Sequence, residues 1–142
     1  MWLDERFERV ERDREPPIRY ARALLRYFAG EPELLELPID PQGTPFQVRV
    51  WNALRKIPRG RVRSYVGIAR DIDEPRAMRA IGRANHDNPI PVVVPCHRVV
   101  EAGLGLGGYS GGLDLKRRLL ALEGVEVRGD RVVPPGQLSL EG

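Results

Sequence analysis

The chain has 142 residues, 42% hydrophobic and 30% charged, which is room for one compact domain with a real core and not for two full ones. No run reaches the roughly 18 to 20 apolar residues of a membrane helix, and the opening MWLDERFERV is too charged for a secretory signal. The formal charge of +3 is mild, and one cysteine with two histidines, His86 and His97, excludes an internal disulfide and a cysteine-built zinc site, so no metal and no cofactor are expected.

Residues 1–15 mix charge signs with few apolar anchors and read as a solvated helix or a loose arm. After Pro16-Pro17, apolar residues at Ile18, Ala21, Leu24, Leu25 and Phe28 follow a helical period that Gly30 is placed to end. The stretch from Glu31 to Gly43 holds Pro32, Pro38 and Pro41 and reads as a linker. Thr44-Pro45 is an N-cap followed by a first-turn proline. Phe46, Val50, Trp51, Leu54 and Ile57 line one face of the helix it opens, and Pro58-Arg59-Gly60 stops it. Ser64 can cap a short helix through Tyr65, Ile68 and Ala69. Past a tight turn at Asp71 to Asp73, Asp73-Glu74-Pro75 is expected to start the next helix, PRAMRAIGRANHD. Two short helices across a tight turn suggest a helix-turn-helix.

The second of these helices has an unusual composition. Only Lys56 and Lys116 are lysines, so 23 − 2 = 21 of the basic residues are arginines. Arg76, Arg79 and Arg83 alternate with Ala77, Ala80, Gly82 and Ala84, a surface both cationic and free of bulk, as close approach to a polyanion requires. The pattern leaves nucleic-acid contact and plain scaffolding both open.

Asn88-Pro89 reads as a turn, and IPVVVP as a short buried strand closed by Pro95. PCHRVV follows, then a glycine-dense loop from Gly103 to Gly112 containing GGYSGG. The helix LDLKRRLLALEG places Leu115, Leu119 and Leu122 on one face, with Gly124 as its stop. VEVRGDRVV reads as a hairpin around Gly129, and PPGQLSLEG as a frayed tail.

A lone cysteine is more often a small buried hydrophobe than a nucleophile. Here Cys96 sits between a strand and a loop, where a side chain can be presented, with His97 adjacent and Arg98 next, so the local field is expected to favour the thiolate. Glu123 can return to orient a histidine and complete a Cys-His-Glu relay. Sequence neighbours usually point apart, so a water is expected between Cys96 and His97.

PCHRVV, preceded by NPIPVVV and followed by GGYSGG and LLALEG, closely resembles the O6-alkylguanine-DNA alkyltransferases (methylated-DNA–protein-cysteine methyltransferases). The resemblance runs from about Ile18 to Gly124 and is densest from Phe46 onward. It implies an α+β fold with a mostly helical C-terminal alkyltransferase domain and a winged-helix-like helix-turn-helix. Residues 1–43 would form a shortened N-terminal region, 44–133 the DNA-binding and alkyl-acceptor domain, and 134–142 a flexible tail. The implied partner is double-stranded DNA carrying O6-alkylguanine, met by a monomer with no membrane and no metal. The implied setting is the bacterial cytoplasm, with the nucleoid.

The same resemblance implies the site. Cys96 would accept the alkyl group once and irreversibly, His97 would take the thiol proton through a water, and Glu123 would hold the imidazole. Tyr65 would donate to the guanine or turn the adjacent phosphate. Val99, Tyr109 and Ser110 would line the base pocket, and Asn88 would brace the turn that links recognition helix to active site. Arg79 would fill the stack left by the flipped nucleotide, with Arg76, Arg83, Ala80 and Ser64 also on the DNA-binding surface.

Three departures stand out. Family members usually carry a fuller N-terminal domain with a small sheet, whereas seventeen residues precede Ile18 here. The zinc ligands of some members have no counterpart. Glu101, in EAGLGLGG, puts an acid beside the pocket. Three rival readings remain in view at this stage. One is an alkyltransferase-like lesion binder, which lacks the acceptor cysteine and so conflicts with Cys96. The others are a cysteine hydrolase and a plain DNA-binding regulator.

Overall fold

A computed structural model describes residues 18–31 and 38–134. The expected arm at 1–15, residues 32–37 of the linker and residues 135–142 of the tail lie outside them. Chain contacts divide the molecule into two units, Met1–Ile39 and Asp40–Gly142. No helix among the described residues is long and apolar enough to cross a membrane.

In the first unit, helix α1 spans Ile18–Phe28. Its expected apolar face is not the buried one: Leu25 is 69% and Phe28 51% exposed, whereas Tyr27 is buried. Tyr20, seven residues before Tyr27 and so on the same face, donates its hydroxyl to the Pro38 carbonyl at 2.8 Å. The chain returning through Pro38 therefore secures the tyrosine side of the helix.

The second unit begins with α2, Pro45–Arg55. Thr44 Oγ1 accepts from the Gln47 N–H at 3.1 Å, and Gln47 Oε1 accepts from the Thr44 N–H at 2.9 Å. This reciprocal pair satisfies two backbone donors at the helix start. Thr44→Ala is expected to destabilise the protein by about 1 kcal/mol, measured by denaturant unfolding; an unchanged midpoint would show that the cap contributes nothing. Val50, Trp51, Ala53 and Leu54 form the buried face. Trp51 Nε1 donates to the Ala84 carbonyl at 2.9 Å, which ties α2 to the helix that carries Ala84.

Strand β1 (Arg63–Ser64) leads directly into α3 (Tyr65–Asp71), and α4 spans Met78–His86. Ser64 caps α3, accepting from the Gly67 N–H at 3.0 Å. The expected helix start at Pro75 is corrected: α4 begins at Met78, so Arg76 lies in the connecting turn. Asp73 adopts a left-handed conformation (φ 58°). Arg49 on α2 holds that turn, pairing with Glu74 at 3.3 Å and donating to the Ile72 carbonyl. Glu74 is thus committed to Arg49 rather than to starting a helix.

The expected strand IPVVVP is also corrected, since residues 90–95 form a turn with a single Pro91–Val94 bridge. Two prolines limit the ladder donors. Asn88 supplies the missing bonds from its side chain, donating through Nδ2 to the Val94 carbonyl at 2.7 Å and accepting at Oδ1 from the Ile90 N–H at 2.9 Å. Val92, a β-branched residue, takes φ 75° there, a strained conformation.

A 3₁₀ turn at Cys96–Arg98 runs into β2 (Val99–Val100), which pairs in parallel with β1 (Arg63 opposite Val99, Ser64 opposite Val100). Helix α5 spans Leu113–Leu122. Its buried residues are Lys116, Leu119 and Leu120, with Leu115 41% exposed, so the inward face is rotated from the expected Leu115, Leu119 and Leu122. The hairpin around Gly129 is present as β3 (Val127–Arg128) and β4 (Arg131–Val132). Val62, Val100, Leu106, Leu120, Val125 and Val132 form one core cluster that joins β2, α5 and this hairpin.

Candidate active site

Cys96 opens the 3₁₀ turn and is only 1% exposed, so the expected presentation of its side chain to solvent is corrected to burial. Burial pushes the thiol above its ordinary range, against weaker opposing contributions from hydrogen bonds to Asn88 and Tyr109 and the charge of Lys116. The expected thiolate-favouring field therefore does not prevail in the resting protein. Arg98, which was expected to supply part of that field, is committed elsewhere.

Its partner is Glu123. Arg98 Nε donates to Glu123 Oε1 and Nη2 to Oε2, both at 2.8 Å, while Nη1 donates to the Ile57 carbonyl at 2.6 Å. His97 Nε2 also meets Glu123 Oε2 at 2.8 Å. The side chains of His97 and Glu123 are fully buried. Burial would raise the Glu123 pKa, but the hydrogen bonds from His97 and Arg98 outweigh it and bring it down to about 2. Burial lowers the His97 pKa, although Glu123 opposes the shift. The imidazole is therefore neutral, with Nε2–H donating to the carboxylate. Its Nδ1 is a buried lone pair with no hydrogen-bond partner among the described residues. A neutral imidazole with one nitrogen anchored and the other vacant can accept a proton.

Backbone geometry makes this clustering possible. Glu123 is the C-terminal cap residue of α5, and Gly124 (φ 88°) turns the chain away immediately after it. Gly60 (φ 84°) passes so close that an added Cβ would lie 3.3 Å from the Glu123 carbonyl oxygen. The parallel β1–β2 pairing sets Tyr65, which follows Ser64, beside the chain that follows Cys96. Burial raises the Tyr65 pKa, as do the charges of Glu101 and Cys96. Burial, together with the neighbouring Cys96 thiol, raises the Tyr109 pKa strongly.

Lys116 went unrecognised in the sequence. It is completely buried. Its ammonium donates to the Val99 carbonyl at 2.7 Å, the Gly108 carbonyl at 3.3 Å and the Leu106 carbonyl, and lies 6.0 Å from the Tyr109 ring centroid. Burial lowers its pKa to about 8. It thus pins the glycine loop to β2, taking one of the two lone pairs of the Val99 carbonyl oxygen. Arg98 and Asn85 were likewise not singled out as site residues. The available signal was Lys116 and Glu123 at i and i+7, two charges on the face otherwise formed by Leu119 and Leu120.

The other expected residues fall as follows. Asn88 braces the turn before Cys96 through the Val94 carbonyl and the Ile90 N–H. Arg79, Ala80 and Arg83 are exposed on α4, and Arg76 is exposed ahead of it. Among the described residues these three arginines have no hydrogen-bond or ion-pair partner. Ser64 is buried, with its hydroxyl committed to the cap. Ser110 is exposed in the glycine loop. Glu101 is exposed beside Tyr65, the two side chains flanking Gly107 at 3.5 and 3.7 Å from the position a Cβ would take there. Among the described residues no group of three or more His, Cys, Asp and Glu could hold a metal ion.

The chain is similar to proteins of known family. Residues 45–125 match the family model described as 6-O-methylguanine DNA methyltransferase, DNA binding domain. A methylated-DNA–protein-cysteine methyltransferase of Methanosarcina acetivorans is 52% identical over 104 residues, covering 73% of this chain and 67% of that protein. The constitutive enzyme of that name from Bacillus subtilis is 41% identical over 131 residues, covering 89% and 79%. The crystal structure of Mycobacterium tuberculosis OGT in complex with DNA superposes with a TM-score of 0.73 at 48% identity, covering 78% of this chain and 70% of that one. With more than half its length matched by the family model and a cysteine–histidine–glutamate cluster at its centre, the chain belongs to the methylated-DNA–protein-cysteine methyltransferase family.

Proposed function

We propose that this protein repairs DNA by direct reversal, extruding O6-alkylguanine from the duplex and moving the alkyl group onto Cys96. The observation that carries the reading is the buried His97–Glu123 pair, 2.8 Å apart beside a buried cysteine, with a vacant imidazole nitrogen to receive the thiol proton. In the transfer, the Sγ–carbon bond forms as the carbon–O6 bond breaks, with the electron pair passing into the purine ring. The thiol proton goes to His97 Nδ1 through a water, and the imidazolium returns one proton by way of solvent to N1 of the ring, so guanine leaves neutral and His97 is neutral again. A thioether is not reversed by water or thiols, so each molecule reacts once.

The base must leave the stack because a thiol cannot reach it inside a duplex, and unstacking costs a few kcal/mol. Arg79 would enter the vacated space, while Ala80 and Gly82 allow the helix close to the groove and Arg76 and Arg83 meet phosphates. Tyr65, Tyr109, Val99 and Ser110 would border the base. Residues 44–133 would carry both DNA binding and alkyl acceptance, as a monomer. A reduced thiol that must meet DNA is consistent with work in the cytoplasm beside the chromosome.

The reading is tested by incubating the protein with duplex containing O6-methylguanine and measuring intact mass. One methyl per molecule, mapped to Cys96, is expected; continued turnover without an adduct would instead indicate a hydrolase. Arg79→Ala is expected to slow repair of duplex roughly tenfold or more, while changing reaction with free O6-benzylguanine less than about threefold. Equal losses on both substrates would remove Arg79 from the extrusion step.

A further inference from the structure

The β3–β4 hairpin is bonded to both ends of the glycine loop. On the upstream side, β4 pairs antiparallel with the chain at Gly105. The Leu106 N–H donates to the Asp130 carbonyl at 2.7 Å, and the Val132 N–H to the Leu104 carbonyl at 2.9 Å. Arg131 Nη2 adds a bond to the Gly103 carbonyl at 2.6 Å. On the downstream side, Arg117 of α5 donates from Nε to the Gly129 carbonyl at 3.1 Å and from Nη2 to Asp130 Oδ1 at 2.7 Å. Asp130 is therefore a junction. Its backbone carbonyl holds the start of the loop, and its carboxylate holds the helix into which the loop runs.

Between those ends, residues 107–112 have little of their own to fix them. Four of the six are glycines, and Gly107 (φ 69°) and Gly112 (φ 96°) use the freedom that only glycine has cheaply. Gly107 lies against Tyr65, whose Cε2 is 3.7 Å from where a Cβ would stand. Where this segment carries Tyr109 and Ser110 is thus inherited from its two ends, and one hairpin ties both. We infer that the β3–β4 hairpin, through Arg131 and the Arg117–Asp130 pair, is a positioning element of the alkyl-acceptor site that keeps Tyr109 and Ser110 in register with Tyr65 around the extruded base. This rests on the alkyltransferase reading above and extends it to an element outside the pocket. The leverage is large, because a displacement of about 1 Å at a reacting centre can cost roughly a hundredfold in rate.

The test is a single-turnover series on duplex O6-methylguanine, reading the limiting rate of Cys96 methylation and the half-saturating DNA concentration separately. Hydrogen exchange of the Leu106 amide is followed alongside, relative to the amides of α2, which report global unfolding. Arg117→Ala and Arg131→Ala cut the two side-chain ties, singly and together, and leave the hairpin's buried Val132 in place; if the pair does not fold, the single variants decide. Each is expected to lower the limiting rate about threefold and the pair about tenfold, with half-saturation within about twofold. The Leu106 amide should exchange at least about fivefold faster in the pair, relative to α2. Arg131→Lys keeps a donor for the Gly103 carbonyl and should stay within about twofold of the parent. A parental limiting rate in the folded variants, or a slowed rate with Leu106 exchange unchanged, overturns the proposal. A loss confined to half-saturation also overturns it, since these arginines would then be DNA contacts. Absence of methylation in the parent protein would instead remove the alkyltransferase reading itself, while Leu106 exchange would still report whether the hairpin holds the loop.

Discussion

Cys96→Ala is expected to abolish alkyl transfer, with no methyl adduct by intact mass, a loss of roughly 10⁴-fold or more, of the kind that removal of a nucleophile produces elsewhere. No other sulfur nucleophile exists to substitute, since Cys96 is the only cysteine. The proposed DNA-binding surface should survive, because the exposed Arg79 and Arg83 lie on α4, apart from the thiol's own turn. Loss of the buried sulfur should cost about 1 kcal/mol of stability. A shift assay with lesion-containing duplex should therefore show binding without repair, the behaviour expected of the non-catalytic lesion binders. Any residual methyl on the alanine variant would place the acceptor elsewhere and end the mechanism. The raised thiol pKa adds a condition: the resting cysteine is protonated, so the thiolate must be generated within the complex, the step proposed above for His97.

Glu123→Ala is expected to be the most destabilising single change, costing about 3–5 kcal/mol out of the 5–15 kcal/mol typical of a domain. The carboxylate accepts from His97 Nε2 and from two Arg98 nitrogens, all at 2.8 Å. Its removal strands a guanidinium whose side chain is 11% exposed and an imidazole that is fully buried. Denaturant unfolding reads the loss; a change below about 1 kcal/mol would show that the cluster relaxes or hydrates easily. The same group governs acid stability. Its folded pKa of about 2 lies below the ordinary carboxyl value of 4.5. The stabilisation is therefore complete above about pH 4.5 and lost as pH falls toward 2, on the order of 3 kcal/mol in all. Glu123→Gln should abolish most of that dependence, and an unchanged acid limb would assign it to other carboxylates.

Local chemistry was readable along the chain. Thr44-Pro45 announced a capped helix, and Gly129 announced a hairpin, because caps and turns are decided within three or four residues. PCHRVV with its flanks carried the family, and Cys96, His97 and Glu123 were named together although 26 residues separate the last two. What failed were the elements whose hydrogen bonds come from afar. IPVVVP has the composition of a strand, but Asn88 caps its polar groups and makes it a turn. Pro75 has the look of a helix start, but Arg49, 25 residues upstream of Glu74, holds that segment as a connection.

The sequence by itself determined the kind of chemistry available: one thiol, one adjacent imidazole, one acid to orient it, and an arginine-rich helix bare enough to approach DNA. Those are properties of residue type and spacing. Only the tertiary structure decided how the groups are poised. Burial removes water from Cys96 and His97 and so leaves both neutral at rest, reversing the thiolate expected from charge counting. The parallel pairing of Arg63–Ser64 with Val99–Val100 joins segments 36 residues apart and brings Tyr65 to the nucleophile. Lys116 acquires its role in the same way. A side chain's hydrogen-bond partners and the water it loses are set by what folds over it, and neither is written in its neighbours.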